Sequence, residues 1–216
     1  VLGIFEFIYE MWPRLFYHLQ ITVSEIIIAV ASGALLSLLC MLVMHFSPLL
    51  KRCIESSLVL LQTIPLFILS PLLILWLGFS QIAVIAPTAL MLVFPLTIAM
   101  YKGANATPKE YIEYYSCLGY SKLTLLLHVR LPFALPALFS GMRVAASTAT
   151  IGALASEWAG GQAGLGVFIQ EMRRNYDIYG VVTGILCTIM VSACMYGVII
   201  WFEKLFSKRY AFSRAR

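Results

Sequence analysis

Polar side chains inside apolar stretches are the first candidates for chemistry in this sequence. Ser140, Arg143, Ser147, Thr150 and Glu157 recur at steps of three, four, three and seven residues, a helical spacing that stacks them as one polar stripe. Each hydroxyl taken singly can satisfy itself on its own helix backbone. Arg143 cannot: a charge within an apolar span is costly and marks a pathway or a buried pair. Arg143 and Glu157 are fourteen residues apart, hence ~21 Å along a helix. That is too far for mutual neutralisation, so each needs water, another helix or a solute. Catalytic patterns are missing from the sequence. His18, His45 and His128 are scattered, and no carboxylate pair or nucleophile–base motif stands out. The glycine-rich run Gly160–Gly166 lacks the lysine of a phosphate-binding loop, and no GxxxxGK[ST] occurs. The five cysteines, Cys40, Cys53, Cys117, Cys187 and Cys194, show no CxxC spacing and read as small apolar residues, with no metal or other cofactor expected. These residues suit passage of a solute, not bond chemistry.

The elements that must position them are membrane helices. The chain is 61% hydrophobic and 12% charged, against about a quarter charged in soluble domains. It reads as one all-α polytopic membrane domain, residues 1–216, with five transmembrane helices. The N-terminus has no basic run or small-residue cleavage site, so no signal peptide is expected. Leu2 to Leu19, interrupted by Glu6, Glu10, Arg14 and His18, carries Phe5, Ile8, Tyr9, Trp12 and Phe16 on one face and predicts a helix lying at the headgroups. The spans are Ile21–Met44, Leu58–Leu77, Ile82–Tyr101, Ala134–Ser156 and Gly180–Phe202. Glu25, near the start of the first, is expected to reach the interface. Ser47-Pro48 predicts a polar turn, and Gly78 to Gln81 a tight one that makes the second and third spans antiparallel. Pro87 and Pro95 interrupt the third span, which argues for a packed bundle in which neighbours satisfy freed carbonyls. In the fourth, Gly141, Ala145, Ala149 and Gly152 form a small-residue stripe for close helix approach. Val167 to Arg174 predicts a short dipping helix, and Glu203 to Arg216 a basic tail.

Between the third and fourth spans lies the longest charged segment, residues 102–132. Thr107 as N-cap, Pro108 at the first helical position and Glu110 three residues on predict a helix start. Tyr111, Tyr114, Tyr115 and Leu118 share a face, and Gly119 ends the helix. Ser121 caps a second short helix through Leu127, which Leu131-Pro132 stops. Eleven lysines and arginines fall on this loop's side of the membrane and three on the other, so the net charge of +5 orients the chain and does not imply nucleic acid. Loop and C-terminus are then cytoplasmic and the N-terminus outside.

The spacing of Glu113, Gly119, Val129, Leu131 and Pro132 resembles the cytoplasmic signature loop of binding-protein-dependent ABC import permeases. Tyr114 and Tyr115 stand where the family pattern has two alanines. QTIPLFILSPLLILWLGF at Gln62–Phe79 and FSGMRVAASTATIGALASEWAGGQAGLG at Phe139–Gly166 are similar to the permeases handling nitrate, sulfonates, taurine and thiamine-precursor pyrimidines. Ile151-Gly152-Ala153 followed by Glu157-Trp158 is most like the hydroxymethylpyrimidine-type members. The resemblance implies a homodimer of permeases in the cytoplasmic (inner) membrane, a separate ATP-binding subunit and an extracytoplasmic solute-binding protein. It assigns ATPase coupling to Tyr111, Glu113, Tyr114, Tyr115, Gly119, Leu131 and Pro132, and turns the polar stripe toward a solute path on the dimer axis. Members usually have one more N-terminal span, so a further span precedes residue 1 or the core is reduced. A thiamine-precursor pyrimidine is the preferred solute and a sulfonate, taurine or nitrate the alternative. A passive channel or facilitator would have no need of the signature loop.

Overall fold

A bilayer leaves no water for unpaired backbone groups, so apolar runs of this length resolve into helices. The computed structural model describes residues 2–214, and every regular element among them is helical. In order these are α1 (Leu2–Met44), α2 (Pro48–Thr63), α3 (Leu66–Leu77), α4 (Gln81–Asn105), α5 (Lys109–Cys117) and α6 (Lys122–Leu125). A π-turn (Leu126–Arg130), α7 (Leu131–Gly160), α8 (Leu165–Arg174) and α9 (Ile178–Arg214) follow. Four helical stretches among the described residues are long and apolar enough to cross a membrane, and the bent pair α2–α3 makes a candidate fifth.

The first correction concerns α1. Leu2–Leu19 is not a separate headgroup helix but the first half of one 43-residue helix. At ~64 Å it is about twice the hydrocarbon thickness. Nothing between Leu19 and Ile21 breaks a helix. Leu15, His18 and Thr22 are buried against the rest of the bundle, while Phe5, Tyr9, Trp12 and Phe16 stay exposed. An ion pair from Arg14 to Glu171 further ties α1 to α8.

The second concerns Ser47-Pro48, which starts α2 directly. Ser47 accepts the Leu49 N–H at 3.2 Å and Pro48 fills the first turn, where its missing donor costs nothing. The expected second span breaks at Ile64-Pro65, where the helix axis turns by 103°. Ile64 precedes a proline and sits in the extended region (ψ 118), as the clash with the proline ring requires. Pro87 and Pro95, by contrast, lie inside an unbroken α4.

α4 is the centre of the bundle, packed between α1 and α7. Small residues set these distances. A Cβ on Gly33 would lie 3.1 Å from the Ala89 carbonyl oxygen, and one on Gly141 3.1 Å from Leu96 Cδ2. The stripe Gly141, Ala145, Ala149 and Gly152 thus brings α7 against α4, with the last three residues buried. One apolar cluster joins Leu15, Ile26, Leu92, Leu96, Ala149 and Phe168, and a second, nearer the α5 end, joins Met41, Met100, Ala104 and Ala134. α9 runs beyond the expected Phe202 to Arg214. Arg216, and the side chains of Lys208, Arg209 and Arg214, lie outside the described residues.

Candidate functional site

The loop between α4 and α7 is the first part of the site. Its helix α5 begins one residue later than the threonine signal predicts. The Thr107 hydroxyl donates back to the Ala104 carbonyl at 2.9 Å, and Pro108 takes the cap position. The end is as the glycine implies. Gly119 has φ +80, its N–H reaches Ser116 O at 3.0 Å, and the Tyr120 N–H reaches Tyr115 O at 3.2 Å. This pairing closes a helix around a left-handed residue. Ser121 then caps α6 by accepting the Thr124 N–H.

Leu131-Pro132 does not end the helical path. The Leu131 N–H bonds to the Leu126 carbonyl, and this wider π-turn leads straight into α7 despite the proline. The loop is therefore joined to the fourth span through helical backbone. α5 buries none of its residues in the chain. Tyr111, Glu113 and Tyr114 are exposed and Tyr115 half-buried. Tyr111 leans on Phe133, with ring centroids 5.7 Å apart, and Tyr115 on Tyr120 at 5.2 Å.

The polar stripe of α7 does not stay on one face. At 100° per residue its members drift by about 100° around the axis between Ser140 and Glu157. Ser140 and Ser147 are exposed, alongside Val144, Ile151 and Trp158. Thr150 and Glu157 are turned inward, 2% and 1% exposed. Arg143, between the two groups, pairs with Glu203 of α9 at 3.5 Å. Thr150 bonds to its own helix at the Ala146 carbonyl, 3.1 Å away.

Glu157 finds another helix. α8 begins with N–H groups that have no intrahelical partner, and three side chains from elsewhere accept them. The Gly164 N–H donates to His18 Nδ1 at 3.0 Å, the Leu165 N–H to Thr22 Oγ1 at 2.7 Å and the Gly166 N–H to Glu157 Oε2. The Thr22 hydroxyl in turn donates to Glu157 Oε1 at 2.6 Å. Gly164 makes the approach feasible: at φ +124 it has the conformation glycine favours, and a Cβ there would run into the Glu157 carboxyl.

Glu25 does not reach the interface as expected. It is 3% exposed, lies within hydrogen-bonding reach of Glu157, and its Oε2 has no partner among the described residues. Sequence reasoning missed this cluster. The signal was there, since His18, Thr22 and Glu25 fall four and three residues apart on one face of a helix.

The fold is a polytopic helical bundle whose charged loop is joined to the following span through helical backbone. The chain belongs to the family of binding-protein-dependent transport system inner membrane components, which matches residues 25–210. It is 36% identical to a probable ABC transporter permease protein of Haemophilus influenzae over 87% of this chain and 76% of that one. It is also 36% identical to the formylaminopyrimidine transport permease protein ThiX of Halalkalibacterium halodurans, over 77% of this chain and 66% of the other. A putative aliphatic sulfonates transport permease protein of Bacillus subtilis is 30% identical over 83% of this chain and 65% of its own length. The fold matches a chain of the MetNI methionine ABC transporter in an inward-facing conformation with a TM-score of 0.78, covering 91% of this chain and 98% of that one at 17% identity. The protein is accordingly a multi-pass inner-membrane permease subunit of an ABC importer, and membership implies an ATPase and a solute-binding protein as partners.

Proposed function

We propose that the permease works as a homodimer that imports a thiamine-precursor pyrimidine. ATP is hydrolysed by a separate subunit docked on α5, and solute is delivered by an extracytoplasmic binding protein. The observation that carries the solute reading is the Arg143–Glu203 pair. An oxyanion importer needs a cation on its path, and the one cation of the α7 polar stripe is already engaged by a carboxylate. The formylaminopyrimidine relative supports the same choice. Ser140, Arg143 and Ser147 line the path on the dimer axis, with Thr150 and Glu157 behind it at its outer end. Coupling runs from Tyr111, Glu113, Tyr114 and Tyr115 through Gly119 and then Leu131 and Pro132 into α7.

The proposed orientation has five spans, with α2–α3 as one bent span, the coupling loop in the cytoplasm and the N-terminus outside. Cys53 and Cys117 are exposed and sit on the cytoplasmic side in this scheme, so an impermeant thiol reagent applied to intact cells leaves both unlabelled. The solute is tested by uptake of a labelled aminopyrimidine and of taurine into proteoliposomes bearing the assembled importer. Arg143→Gln should leave aminopyrimidine uptake within about twofold of wild type, because the pair is not a solute contact. Taurine uptake that Arg143→Gln abolishes would move the assignment to the sulfonate importers.

A further inference from the structure

A cavity of about 180 Å³ opens where the middle of α1 and the start of α4 meet the loop after α7. Tyr17, Glu25, Ser80, Gln81 and Gln162 border it, together with the backbone of Gly160 and Gly161. Three observations make it more than a packing defect. First, Glu25 is almost wholly buried, yet its Oε2 has no partner among the described residues, a costly state for a buried polar atom. Secondly, Glu157 lies within hydrogen-bonding reach of Glu25 and also accepts from Thr22 and the start of α8, yet Glu25 Oε2 remains unpaired. Two carboxyls this close cannot both be bare anions without something between them to donate. Thirdly, no lysine or arginine borders the cavity among the described residues. A nitrate or sulfonate would meet carboxyl and amide oxygens with no cation to hold it, whereas an N–H donor would meet a waiting acceptor.

We propose that this cavity is the permease's own solute site and that it takes a small amine-bearing heterocycle, uncharged or cationic, whose N–H groups are accepted by Glu25. The amides of Gln81 and Gln162 and the Tyr17 hydroxyl offer the remaining donors and acceptors that ring nitrogens require. The site rests on the pyrimidine reading above for its choice of ligand but not for its geometry. It also gives Glu25 a specificity role: its unpaired oxygen accepts N–H donors, which an oxyanion does not offer, at the point where solute leaves the binding protein.

The test uses the assembled importer in proteoliposomes with Gln162→Cys as reporter, since Gln162 is exposed at the rim of the cavity. The rate of alkylation is measured against increasing hydroxymethyl-aminopyrimidine and, separately, taurine. The pyrimidine should protect the thiol, taurine should not, and Glu25→Gln should raise the half-protecting concentration at least about tenfold. Should Glu25→Gln fail to assemble, Gln81→Ala carries the same test with a smaller shift, because it leaves both carboxyls in place. Absence of pyrimidine protection in the wild type, protection indifferent to both substitutions, or equal protection by taurine would overturn the site. Glu25-dependent protection in vesicles that accumulate taurine but no pyrimidine would keep the site and sink the solute reading.

Discussion

The two ends of α7 handle polar groups in opposite ways. At the Gly160 end, His18, Thr22 and Glu157 are buried and spend their acceptors on the first turn of α8. At the Leu131 end, α5 buries nothing and leaves Tyr111, Tyr114 and Glu113 in the open. A buried polar network that is fully paired fixes one geometry, because every broken bond leaves a desolvated partner behind. An exposed helix with aromatic residues and few internal contacts gains its stability from whatever docks on it. One end of the span is therefore fixed within the chain, while the other leaves its helix face open. The π-turn at Leu126–Arg130 joins the second to the span without a flexible break.

The sharpest way to break this contrast is Gly164→Ala. The substitution forces a side chain into a backbone region that L residues rarely adopt and drives its Cβ into the Glu157 carboxyl. A loss of about 2–5 kcal/mol is expected from strain and overpacking together. Thermal unfolding of the purified permease should show it as a large drop in Tm. An unchanged Tm would mean that the α8 cap is not a fixed structure.

Thr22→Val comes next. The two side chains have nearly the same shape, so the change isolates the hydroxyl. The Leu165 N–H is left without its acceptor and Glu157 Oε1 without its Thr22 donor, at a cost of about 1–3 kcal/mol. Hydrogen exchange at the start of α8 should accelerate while the α4 core stays protected.

How much of this was legible beforehand divides along the same line. The third, fourth and fifth apolar runs, the tight turn at Gly78, the capping role of Ser121 and the C-terminal glycine of α5 are local signals, and each appears in the structure where the residues put it. The unity of α1 was hidden because its charged half mimics an interfacial helix. It is the burial of Leu15, His18 and Thr22 by distant parts of the chain that makes it continuous. The break at Ile64-Pro65 and the passage of Pro132 through a π-turn look alike in sequence, as a proline in an apolar stretch. Geometry alone separates them. Rotation hides the true course of the α7 stripe. Steps of three and four look like one face, but over seventeen residues they drift far enough to carry Glu157 from the exposed side into the core.

At the coupling end, Gly119→Val should act quite differently from Gly164→Ala. A Cβ at Gly119 meets nothing within 4 Å, so the cost is the left-handed backbone alone, about 1–3 kcal/mol and confined to the turn. Tm should scarcely move while co-purification of the ATPase is lost. Gly119→Asn, which tolerates that backbone region, should restore it. Glu113→Ala should likewise spare the fold and weaken the complex. A global loss of stability in any of these would show that α5 is part of the core.

The smallest effect is expected at His45, just past α1 at the cytoplasmic end of the proposed orientation. Its Nδ1 bonds to the Met41 carbonyl at 3.0 Å, and its ring lies 4.9 Å from that of Tyr101. Burial pushes its pKa below the ordinary 6.5, and Arg130 pushes the same way. The bond to the Met41 carbonyl and the nearby Asn105 side chain oppose them. With the folded value below the unfolded one, the unfolded chain binds more protons as the pH falls. The stabilisation is then complete above about pH 6.5 and declines as the pH drops through the folded value. Because the ring is half-buried, the change is modest, about 2 °C in Tm between about pH 7 and about pH 5. His45→Gln keeps a polar side chain but does not titrate, so its Tm should lose that acid-side slope. If the slope persists undiminished in the variant, another group carries the proton, and His45 is a packing residue like its neighbours Met41 and Tyr101.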